Sequence, residues 1–214
     1  MINLKTSILS LCFTTIFTIS GTALFGQAKF GLKAGVNFAK QKIRPERTII
    51  PSSNTSFNLQ AFADIKILED ISIRPGLSIT GKGNRLKHIE FVNATTNLIY
   101  LEIPLNAVIK LPIRRLGKFY TGGGLYTAYG LTGKIKGEGF EVGVYGNNNL
   151  FNEKGLYNRP DLGLNFLGGF ELKNGLLVNI EYELGMINTF RSDAVQPGFT
   201  AKNRALSISL GVLL

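Results

Sequence analysis

The chain has 214 residues, a formal net charge of +10, 18% charged residues, 25 glycines and no tryptophan. That length allows one sizeable domain or two small ones, and the charged fraction lies below the roughly 25% usual for soluble domains. The positive excess suits nucleic acid or an anionic membrane surface without choosing between them, while one histidine and one cysteine leave the usual transition-metal ligand sets unavailable.

The N-terminus predicts an export signal. Lys5 precedes the apolar run "ILSLCFTTIFTIS" at 8–20, which has the length of a signal-peptide core and falls short of the about 20 residues a spanning helix needs. Gly26 and Ala28 form a small-x-small pair, so residues 1–28 are expected to be removed, leaving 29–214 as the working domain. Cys12 lies inside the run. Leu11 before it is not the small residue a lipoprotein cysteine requires, so the mature chain is expected to lack cysteine and disulfides.

After residue 28 the hydrophobic period is two rather than 3.6, the signature of strands with two unlike faces. Eight segments carry it: 29–39, 56–66, 71–81, 98–111, 118–132, 161–173, 175–187 and 204–214. In seven of them one face is free of charge, as in Phe30, Leu32, Ala34, Val36 and Phe38, or in Ile99, Leu101, Ile103, Leu105, Ala107 and Ile109. The fifth segment, "GKFYTGGGLYTAYGLTG", is the exception, with Phe119, Leu125, Tyr129 and Leu131 assigned to the apolar face. The opposite faces carry Lys33 and Asn37; Asn58, Gln60 and Asp64; Ser72, Arg74 and Ser78; Glu102; Asn165 and Glu171; Asn179, Glu181 and Glu183; Ser207 and Ser209, with glycines between them.

A water-facing surface has no reason to be crowded with Gly and Ser, whereas the interior of an eight-stranded barrel does, being only wide enough for side chains to fill. The apolar face then needs lipid as its solvent. The expectation is an all-β, eight-stranded, antiparallel up-and-down transmembrane barrel. Its connections alternate long and short (40–55, 67–70, 82–97, 112–117, 133–160, around 174, 188–203), which puts both termini at the short-turn end, expected to be periplasmic. Outward aromatics fall near both ends: Phe30, Phe119 and Phe170 at one, Phe38, Phe57 and Tyr129 at the other.

"YLEIPLNAVIKL" (100–111), "KFGLKAGVNFA" (29–39), "GKFYTGGGLYTAYGL" (117–131) and "LGLNFLGGFELKNGLLVNIEYELGMIN" (162–188) resemble the PorT-type outer-membrane β-barrel family of Bacteroidetes, over essentially the whole chain after the signal. The Tyr-Leu-Glu-Ile-Pro element is the most specific part. The resemblance implies an eight-stranded barrel with periplasmic termini. The founding member of that family is associated with export through the type IX secretion system. Fold alone does not transfer that role. The C-terminus "SISLGVLL" departs from proteobacterial barrels in lacking a terminal aromatic.

No catalytic, cofactor-binding or metal-binding residue is assigned. His88, in the basic stretch "GKGNRLKHIE" (81–90), reads as a solvated loop histidine, since no Ser-His-carboxylate arrangement follows from its spacing. "GLTGK" (130–134) has the wrong glycine spacing for a phosphate loop. The run Gly122–Gly124 is expected to relieve crowding or mark a bulge. Pro104 cannot donate to a ladder, so a bulge or unpaired position is expected beside Glu102. Inward charges of both signs predict cross-strand ion pairs closing the lumen, with Arg74 as hub and Glu102 on the neighbouring strand as its partner.

Two stretches taken as loops are basic, with Lys40, Lys42, Arg44 and Arg47 in one and Lys82, Arg85 and Lys87 in the other. They suit outer-membrane lipids, lipopolysaccharide phosphates in particular. Aromatic–basic interleaving typical of nucleic-acid platforms is missing, so nucleic acid is not expected. The functional expectation is a monomeric, non-enzymatic barrel with a plugged lumen and a structural or interaction role, with envelope or secretion-machinery proteins as partners. The alternatives are a small channel or uptake barrel, a lipid-modifying outer-membrane enzyme and a soluble periplasmic barrel.

Overall fold

A computed structural model describes residues 28–44, 50–87, 93–146, 155–191 and 198–214; the expected signal segment up to residue 27 and His88 lie outside them. The strands are β1 (Ala28–Arg44), β2 (Ile50–Ser52), β3 (Asn54–Lys66), β4 (Ile71–Lys87), β5 (Asn93–Ile113), β6 (Gly117–Gly137), β7 (Phe140–Gly143), β8 (Pro160–Leu172), β9 (Leu176–Gly185) and β10 (Thr200–Leu213). Eight of them close a ring in the order β1, β3, β4, β5, β6, β8, β9, β10 and back to β1, every pairing antiparallel. The two short strands are additions to the rim, β2 on β4 and β7 on β6.

The apolar faces point outward, away from the ring's interior. Leu210 is 67% exposed and Ile180 51%, while Asn37, Asn165 and Ser207 are buried. The assigned outward residues of the fifth segment, Phe119, Leu125, Tyr129 and Leu131, all face out, as do Phe30, Phe170, Phe38 and Phe57. Phe119 and Phe170, paired across β6 and β8, meet edge to face with ring centroids 5.4 Å apart. The fifth segment resisted reading because Thr121 and Thr127 interrupt its outer face while Tyr120 and Tyr126 enrich its inner one.

Four strands run further than the alternation predicts. β1, β4, β5 and β6 are 17, 17, 21 and 21 residues long and run into the stretches 40–55, 82–97 and 133–160 that read as loops. Beyond the apolar band the pattern inverts: Lys40 and Arg44 lie outside, whereas Ala39, Gln41 and Ile43 lie inside, and on β5 Leu98 turns in. The strand geometry continues where the lipid-facing signal stops.

One bulge occurs on β6. Ile99 faces Thr132 and Tyr100 faces Gly130, so Leu131 is the extra residue. It preserves the facing rule by sending Ile135 inward and Lys134 and Lys136 outward. Pro104 holds no bulge. The β5–β6 register runs straight through it, opposite Tyr126, while on its other side the ladder to β4 lapses at Gly76 and Leu77. A Cβ on Gly76 would crowd the Pro104 ring and the Gln60 amide, so glycine and proline fit as a pair. Gly122 and Gly124 relieve crowding: side chains there would strike the carbonyl oxygens of Ala107 and Leu105 on β5.

Candidate functional site

The lumen gathers most of the chain's chemistry. It buries Lys33, Arg74, Lys82 and Lys110 together with Asp64, Glu102, Asp161, Glu181 and Glu183, and nearly buries Glu171. Charges persist out of water only when paired and hydrogen-bonded, and the barrel meets this condition in three layers.

At the end carrying the termini and short turns, Arg74 Nε donates to Asp64 Oδ2 at 2.5 Å. Lys110 Nζ lies 2.9 Å from the same oxygen and 3.0 Å from Glu171 Oε2. The Arg74 guanidinium also stacks over Tyr120 at 4.3 Å and reaches Phe62 at 5.4 Å. Phe62, Val108, Tyr120, Leu167, Leu177 and Leu213 pack together around this layer.

The middle layer joins strands that are not neighbours. Lys33 on β1 pairs with Glu181 on β9, across β10. The second Glu181 oxygen accepts from Asn165 Nδ2 at 2.9 Å, and Asn179 Nδ2 adds a bond of 3.3 Å.

At the opposite, long-loop end, Lys82 is the hub. Its ammonium lies 2.7 Å from Glu102, 2.8 Å from Glu183 and 3.6 Å from Asp161, and 4.0 Å from the centre of the Tyr126 ring. The Glu102 contact is a hydrogen bond. The Glu183 contact is a second close ion pair. A relay continues upward: Asn203 Nδ2 donates to Asp161 at 2.9 Å, Gln41 Nε2 to Asn203 at 3.0 Å, and the Tyr157 hydroxyl to Gln41 at 2.9 Å. Above it Ile43, Leu98, Val144, Phe190 and Ala201 close the mouth with Tyr157, whose ring lies 5.0 Å from that of Phe190.

The expected inward set is therefore inside, with two corrections. Arg74 is a hub, but its partners are Asp64 and Glu171 rather than Glu102. Lys82, read as a loop cation, is a buried lumen residue and takes Glu102. Tyr100 is inside on the polar face of its strand, as its alternation with Ile99 and Leu101 implies, and Asp161, Tyr120 and Tyr126 join the lumen as well. Their signal was the inward parity of their own strands. Among the described residues no group of three or more His, Cys, Asp and Glu side chains is arranged to hold a metal ion.

On the outside of the long-loop end, Lys134 and Lys136 flank Glu141 of β7 at 2.6 and 2.9 Å. Their hydrogen bonds hold its carboxyl down at about 2.

Residues 22–191 match the family model described as the outer membrane protein beta-barrel domain. The chain belongs to that family. Its place is accordingly the outer membrane, consistent with an apolar band outside and ion pairs within. Among solved structures the family member resembles Neisserial surface protein A, at 15% identity over 86% of this chain and 97% of that one, with a TM-score of 0.48. It is also similar to Ail, the attachment invasion locus protein of Yersinia pestis (12% identity, 88% and 99% covered, TM-score 0.45). A third is the outer membrane protein OprG from Pseudomonas aeruginosa (11% identity, 87% and 96% covered, TM-score 0.47). No curated protein sequence matches the chain.

Proposed function

We propose that this outer-membrane barrel is neither an enzyme nor a channel, and that it works through its outer wall and its long-loop end. The observation that carries the reading is the lumen: three tiers of cross-strand ion pairs between two apolar packings leave side chains where a pore would run. In this reading residues 1–28 direct export and are removed, the termini and short turns face the periplasm, and the long-loop end faces outward. The protein acts as a monomer. The resemblance of the Tyr-Leu-Glu-Ile-Pro element to the PorT-type family of Bacteroidetes supports a role beside protein-export or envelope-organising machinery. Outer-membrane lipids and envelope proteins are its partners, and nucleic acid is not.

Planar-bilayer recording of the purified full barrel tests the central claim. A quiet membrane with inserted protein is the expected result. Stable, reproducible conductance steps would show an open path and replace this reading with that of a small channel.

A further inference from the structure

The outer wall at the long-loop end carries a concentration of positive charge without a paired carboxylate among the described residues. Going up β1 the outward row reads Phe38, Lys40, Lys42, Arg44, and beside it on β10 the row reads Leu206, Arg204, Lys202, Thr200. The register sets Lys40 directly opposite Arg204 and Lys42 directly opposite Lys202. Like charges in directly opposed positions destabilise a sheet. Among the described residues no carboxylate pairs with any of these five cations. Lys134 and Lys136, also outward at this end, are answered by Glu141.

Position and shape supply the second observation. The cations begin one outward row above Phe38 and Leu206, the last apolar pair, which is about 7 Å higher along the strand. A groove of about 610 Å³ is lined by Lys42, Arg44, Lys202 and Arg204 and, beside them on the next two strands, by Leu184, Met186 and Leu164; Arg204 pairs with Leu184, and Leu184 with Leu164. Cations beside an apolar groove, with the apolar pair Phe38 and Leu206 beneath them, match an amphiphile with an anionic head and an acyl tail.

We propose that this face binds a phosphorylated, acylated glycolipid of the outer leaflet. Its phosphate would lie between the opposed cations, and an acyl chain would pass Leu184 and Leu164 beside them toward the apolar band. Five cations spread over three rows exceed what a phosphodiester, with one negative charge, can balance. Phosphomonoesters carry about −1.5 to −2 each near neutral pH, and the guanidinium groups of Arg44 and Arg204 suit their oxygens in bidentate fashion. The lipid thereby removes the repulsion built into the β1–β10 pairing. The inference rests on the outward orientation of the long-loop end.

The test uses the full barrel refolded in detergent and fluorescent lipids in three arms: bis-phosphorylated lipid A, its dephosphorylated form, and phosphatidylglycerol. Wild-type protein is expected to bind the bis-phosphorylated form at least about tenfold more tightly than either other lipid. K42Q/R44Q/K202Q/R204Q is expected to lose that preference, and K134Q/K136Q to keep it. The milder K42Q/K202Q guards against a folding defect. It is expected to raise the unfolding midpoint without lipid, by relieving repulsion, while weakening lipid binding. Equal binding by the quadruple variant, or phosphatidylglycerol bound as tightly as lipid A, overturns the proposal. Detergent binding depends on neither conductance nor orientation. Labelling of Lys40→Cys on intact cells with an impermeant maleimide checks orientation separately.

Discussion

At the scale of single residues, Lys82 gives the sharpest expectation. One ammonium, 1% exposed, answers Glu102 and Glu183 and stands 3.6 Å from Asp161. Removing one partner of a buried ion pair typically costs about 3–5 kcal/mol because the opposing charge remains buried. Lys82→Met should lower the free energy of unfolding by about that amount in urea titrations of the refolded barrel, whereas exposed Lys134→Met should barely move it. Glu141 lies outside the lipid band, so its titration is readable. Its folded carboxyl, at about 2, lies below the ordinary value of 4.5. Its stabilisation of the β6–β7 pairing is therefore complete above about 4.5 and lost as pH falls towards about 2. Hydrogen exchange at Val142 and Ile135 should accelerate over that window, and Glu141→Gln should flatten the response. Within the alternating segments parity told which residues face inward, but not which meet, and Lys82 beyond them escaped it. Arg74 stands opposite Asn106, and Glu102 opposite Ser78. That places the expected Arg74–Glu102 pair four residues apart along the strand, roughly 13 Å. The flanking pairs Phe62–Gly76 and Ile65–Ile73 instead put Asp64 level with Arg74. Register, unlike facing, is set by turns and bulges that the alternation does not record.

At the scale of elements, the limits of the strands were legible only as far as lipid dictates them. Val36 and Phe38 announce a lipid-facing row. Lys40, Lys42 and Arg44 continue the same row in water and therefore looked like loop. The single extra residue on β6 has the same character, because a one-residue slip exchanges the two faces of everything beyond it. Deleting Leu131 should turn Lys134 and Lys136 inward against the apolar cap and push Ile135 out. The deletion variant should lose protease resistance at the long-loop end, with Leu131→Ala close to wild type. If both behave alike, the bulge is not what sets the facing.

For the whole molecule, strand number, antiparallel closure and the inside-out polarity were readable because eight strands force a filled interior and a lipid exterior at once. The three-tier arrangement of the lumen was not, since it depends on groups brought together across the ring. Immersion in lipid makes a further expectation quantitative. Ile180 lies midway along β9, outward, beside Ile208. Ile180→Arg should cost about 2–4 kcal/mol near the bilayer midplane, measured by refolding titration into lipid vesicles; tolerance of the arginine would argue against a lipid-facing wall. The seam between β1 and β10 carries a different kind of consequence. It joins the two ends of the described chain along fourteen paired positions, from Gly31–Leu213 to Arg44–Thr200, and no other pairing can seal the ring. Every earlier stage of folding is therefore an open sheet with two unsatisfied edges, each a template for another chain. Closure between such distant segments comes late, because its loop entropy must be met before its contacts form. The cell must consequently shelter an incomplete barrel until its last strand arrives, and that interval is when the protein is most exposed to aggregation.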